Sequence, residues 1–108
     1  MIALPIRGRD AEAQFARALV TAARASGLEP VLAELRSRPW ASATFVGTRV
    51  SLVMVAPRSP ALHGWVAALA EAELPMPGHL LASLAVDGIG EGEDGTVRIA
   101  LTALVIDH

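Results

Sequence analysis

Along the chain, apolar residues recur first at helical and then at strand spacing. In "DAEAQFARALVTAARA", Asp10 to Ala25, the residues Phe15, Ala18, Leu19 and Ala22 fall at i, i+3, i+4 and i+7, one stripe of a helix. Asp10 is placed to cap its start, Glu12 to complement the positive end of its dipole, and Gly27 to end it. A second helix opens at "SPALHGWVAALAEAEL", with Ser59 as N-cap and Pro60 at the first helical position. Leu62, Trp65, Val66 and Leu69 carry its core spacing, and "PMPG" stops it.

Period-two patterning governs the rest. "WASATFVGTRVSLVMVAP", Trp40 to Pro57, reads as two strands around a Gly47-Thr48 turn. That register puts Ala41, Ala43, Phe45, Val50, Leu52 and Met54 on one apolar face. The other face then carries Trp40, Ser42, Thr44, Ser51, Val53 and Val55, with Arg36, Arg49 and Arg98 at its margin. "HLLASLAVD", His79 to Asp87, and "TVRIALTALVI", Thr96 to Ile106, form a second hairpin around "GIGEGEDG". Leu80, Ala82, Leu84 and Val86 alternate on one side of its first strand; Val97, Ile99, Leu101, Ala103 and Val105 do so on its second. "PVLAELR", Pro30 to Arg36, fits a short helix or a strand. Strand is preferred, because it would feed through "SRP" into the next strand as an antiparallel neighbour.

These elements predict one α+β domain over residues 1–108. It is a two-layer sandwich: a mostly antiparallel sheet of four to five strands with two helices on one face, in the order α-β-β-β-α-β-β.

Composition changes this picture mainly by exclusion. The 53% apolar content is high for 108 residues, yet no apolar run reaches a membrane-spanning length, so the excess points to surface that a partner covers. No membrane association is expected. The start, "MIALPIRGRD", places its first charge after the apolar residues, unlike a signal peptide, and a cytoplasmic location is the default. The chain has no Cys, Lys, Tyr or Asn, a bias of GC-rich, bacterial genomes. This removes thiolate, Schiff-base and tyrosyl chemistry. A net charge of −2 argues against nucleic acid as a partner.

Candidate chemistry is thin. The glycines of "DGIGEGEDG" lack a following helix and its acids lack calcium-loop spacing, so a solvated loop is the expectation, with divalent-cation binding the lesser reading. His79, Ser83 and Asp87 share a strand face but stand about 13 Å apart at each end, too far for a triad. Ser59 is better spent as a cap than as a nucleophile beside His63, and His63, His79 and His108 lack paired-ligand spacing. No cofactor and no catalytic group are assigned. The expected function is a non-enzymatic module that homodimerises through its second sheet face or an exposed edge. The residues concerned are Trp40, Ser42, Thr44, Arg49, Ser51, Val53, Val55 and Arg98. The alternative is a small-ligand binder or minor enzyme in which these arginines receive an anionic group and Trp40 stacks on its apolar part.

Overall fold

The computed structural model describes residues 7–92 and 94–107. The start of the chain, Glu93 of the acidic loop and His108 lie outside the described residues. Helix α1 (Arg7–Ala25) precedes the strands β1 (Val31–Ala41) and β2 (Val46–Pro57). Helix α2 (Pro60–Ala68) runs on into a short 3-10 turn (Leu69–Glu71), and β3 (His79–Glu91) and β4 (Thr96–Asp107) complete the chain. The four strands form one antiparallel sheet in the order β1-β2-β4-β3. Both helices contribute to a single core on one side of the sheet, and among the described residues no helix joins it from the other side. This is the α+β sandwich that the apolar spacing predicts, with one strand fewer than its upper count.

The helices form where their capping residues say they should. Gly27 takes φ 83°; its amide donates to the Arg24 carbonyl, and the Leu28 amide donates to that of Ala23, each at 3.0 Å. That pair of bonds is the Schellman end, available at low cost because glycine carries no Cβ. Asp10 lies inside the first turn of α1 instead of capping it, since the helix begins three residues earlier. At α2, the Ser59 hydroxyl accepts from the Leu62 amide at 3.0 Å, with Pro60 at the first helical position. Such a cap contributes about 1 kcal/mol.

Burial follows the stripes. Phe15 and Leu19 of α1 are fully enclosed, as are Leu62 of α2 and Leu69 beyond it. They meet Val50, Leu52 and Met54 of β2 and Val97, Ile99, Leu101, Ala103 and Val105 of β4. Each large side chain so enclosed stabilises the fold by roughly 1.5–3 kcal/mol relative to exposure.

Three sequence expectations are corrected. Residues 30–36 are indeed extended, but they do not form a separate strand: β1 runs unbroken through Ser37, Arg38 and Pro39 to Ala41. The bend is not Gly47-Thr48. Ala41 pairs with Val46, so the turn is Ser42 to Phe45, closed by Ser42, whose amide donates to the Phe45 carbonyl at 2.8 Å. Ala43 and Phe45 are therefore exposed at the turn instead of inside. In the second hairpin, β3 continues through most of the supposed glycine loop to Glu91. A bulge between Leu81 and Ser83 also reverses the upstream alternation. Leu81 packs on the core while Leu80 faces solvent.

Candidate functional site

Gly47 has no positive φ and makes no turn; it lies in β2, paired with Trp40 on one side and Ile106 on the other. A Cβ there would fall 2.2 Å from the Val105 carbonyl oxygen and 3.0 Å from the Ile106 Cα. Glycine is thus required by the close approach of β2 to β4. It also leaves the row Trp40, Gly47, Ile106 without a side chain at its centre. Ile106 is buried yet stands outside the core cluster, on the side of the sheet opposite the core. Trp40, the other large side chain of that row, is half-buried.

Below this row the open face is built from paired residues. Arg38 pairs with Arg49 and Arg36 with Ser51, and Ser51 pairs in turn with Thr102. Glu34 pairs with Val53, and Val55 with Arg98. Side chains of paired residues project to the same face. Trp40, Arg49, Ser51, Val53, Val55 and Arg98, all expected on this face, are brought together there, and Arg36 joins them. Ser42 and Thr44 are not; both sit in the β1–β2 turn, where the Ser42 hydroxyl accepts from the amides of Thr44 and Phe45 at 3.3 and 3.0 Å.

The expectation had no place for Arg38, because "SRP" was assigned to a connection. The signal was present in the unbroken alternation Glu34, Arg36, Arg38, Trp40. Asp87, weighed above only as a triad member, was not assigned to this face; it accepts a hydrogen bond there from the Thr102 hydroxyl.

Two hollows mark this surface. One, of about 320 Å³, is lined by Arg36, Ser37, Arg38, Arg49 and Ser51. The other, of about 160 Å³, adjoins it and includes Glu34, Asp87 and Thr102. The carboxylates of the face are engaged: Glu34 pairs with Arg98 at 2.5 Å, and Asp87 is held by Thr102. Among the described residues, no carboxylate lies within ion-pair distance of Arg36, Arg38 or Arg49. The face therefore carries a local positive surplus on a chain whose net charge is −2. A larger groove of about 370 Å³ runs along α1 beside residues 73–77, but its walls are mainly Ala, Thr and Pro, with Arg17 and Glu73 opposing each other in sign. Its volume exceeds that of the arginine hollow; its chemistry does not.

Elsewhere the polar groups serve the fold. Glu12 accepts from Ser37 at 2.5 Å and ties α1 to β1. The His63 ring lies 2.9 Å from the Ser59 carbonyl oxygen, and the His79 ring meets Gln14 and the Pro77 carbonyl oxygen at 3.2 Å. Asp94 accepts from the Thr96 hydroxyl at 2.6 Å and from its amide at 3.3 Å, and these bonds hold its carboxyl below the usual range. Their support of the β3–β4 turn is present above the ordinary carboxylate range and is lost as pH falls through the depressed value. Among the described residues, no three His, Asp or Glu side chains gather as metal ligands, and no helix is long and apolar enough to cross a membrane. Comparison with family models, curated proteins and solved structures finds no match to this chain.

Proposed function

We propose that this chain is a non-enzymatic binding module whose open sheet face takes up an anionic group. The observation that carries this reading is the convergence of Arg36, Arg38 and Arg49 on one hollow with no carboxylate among the described residues to neutralise them. Like charges two residues or one strand apart repel by about 0.6 kcal/mol per pair even at the dielectric of water. An anion seated among them turns that repulsion into attraction, and guanidinium forks suit oxyanions geometrically. Binding is favoured over chemistry because Glu34 and Asp87 are each already committed to a neighbour, so no carboxylate stands ready as a base.

Sulfate provides a simple test. With a dissociation constant on the order of 5 mM, 50 mM sulfate adds about 1.4 kcal/mol of stability beyond its general salting effect. The excess should appear as a higher melting temperature than in chloride of equal ionic strength, and should vanish in the R36A/R38A/R49A variant. Equal responses from both proteins would defeat the reading.

A homodimer through the same face is the second reading. It is favoured by the apolar end of that face, where Val53, Val55 and Ala100 lie together with no helix over them. A two-fold axis that reverses the strands would set this end of one copy against the Trp40 end of the other. Light scattering at high micromolar concentration should then report twice the chain mass. A monomer there removes the dimer.

A further inference from the structure

We propose that the group held between Arg36, Arg38 and Arg49 is the phosphoryl dianion of a small phosphomonoester, whose ring lies on Trp40. This rests on the anion-binding reading above and specifies its ligand. A carboxylate is satisfied by one guanidinium fork, which would leave two of the three arginines still facing each other. A phosphomonoester presents three terminal oxygens and close to two negative charges near neutral pH, enough to engage several forks at once. The Ser51 hydroxyl, paired across from Arg36, stands at the same hollow as a further donor. The described acids of the face do not compete, since Glu34 is taken by Arg98 and Asp87 by Thr102.

The size of the site and its neighbour decide the rest of the ligand. At about 320 Å³ the hollow is of small-molecule dimensions, near the lower end of the usual range. Trp40 stands two residues from Arg38 on the same strand face, about 7 Å along β1. Its cross-strand partner Gly47 carries no side chain, which leaves the indole room to offer a ring surface to a planar group attached to the phosphate.

The test follows the arginine Nε–H and tryptophan indole signals by ¹H–¹⁵N NMR at pH 7.5 and fixed low ionic strength. Inorganic phosphate, phenyl phosphate and acetate serve as separate probes. Phosphate should shift the signals of Arg36, Arg38 and Arg49 saturably, and acetate should need about tenfold more to do the same. Phenyl phosphate should saturate at about three- to tenfold lower concentration than phosphate and move the Trp40 indole. In a W40A variant that advantage should disappear while phosphate still binds. Acetate binding as tightly as phosphate would overturn the phosphoryl assignment and leave anion binding standing. Phenyl phosphate no tighter than phosphate would overturn the ring contact. Failure of all three probes to shift the arginines would overturn both this inference and the reading beneath it.

Discussion

Truncating Phe15 to alanine is expected to cost the protein about 3–5 kcal/mol. Phe15 is fully enclosed at the centre of the α1 stripe, where it joins the core shared with β2 and β4. Its removal forfeits the transfer energy of the ring and leaves a cavity that a close-packed interior refills only in part. Domains of this size hold about 5–15 kcal/mol in total, so the variant keeps at best a modest reserve. With a urea slope of about 1–2 kcal/mol per molar, the denaturation midpoint should fall by roughly 1.5–5 M. Phe45→Ala supplies the contrast. That ring is 55% exposed at the tip of the β1–β2 turn, and its loss should stay within about 0.5 kcal/mol. Equal losses for the two phenylalanines would mean that α1 does not dock as described.

Gly47→Ala should also destabilise, by about 1–3 kcal/mol or more. The direction is what makes the experiment decisive. In an ordinary strand interior, exchanging glycine for alanine stabilises, because alanine loses less freedom on folding. Here the added methyl meets the main chain of β4, 2.2 Å from the Val105 carbonyl oxygen, so β2 or β4 has to move. Hydrogen exchange should quicken at the amides of the neighbouring Thr48–Val105 pair, and the melting temperature should drop. A variant as stable as the parent, or more so, would show that the two strands do not approach so closely.

The turn was misplaced in the sequence reading and the open face was nonetheless assembled nearly correctly, for a physical reason. Moving the bend from Gly47-Thr48 to Ser42–Phe45 changes every β1–β2 partner, yet it slides the strands by an even number of residues. Alternation repeats every two residues, so an even slip leaves each side chain on its original side. Trp40 therefore remains opposite the core with Ser51 and Val53, although its partner is Gly47 and not Val55. An odd slip would have betrayed itself by sending Met54 outward. The glycine misled because glycine marks close backbone approach as readily as it marks a turn, and nothing local separates the two. Bulges were illegible for a similar reason. The one at Leu81–Ser83 depends on what β4 offers alongside, and β4 lies more than a dozen residues downstream. The arginine cluster needed the true register, since Arg38 meets Arg49 only once β1 is one long strand. Helix ends, set by residues within a turn of each other, were legible at Ser59, Pro60 and Gly27.

The two outer strands also decide how other molecules can approach. β1 is irregular between Leu32 and Glu34 and has a proline at position 39; β3 is interrupted at Leu81–Ser83 and again at Val86–Gly88. A visiting strand seeking to zip alongside either border finds a missing donor or a kink within a few residues, and stalls. Long, largely apolar strands are thereby kept from propagating into ribbons or fibrils. The borders thus discourage strand addition, which suits the proposal that binding uses the guanidinium-lined surface.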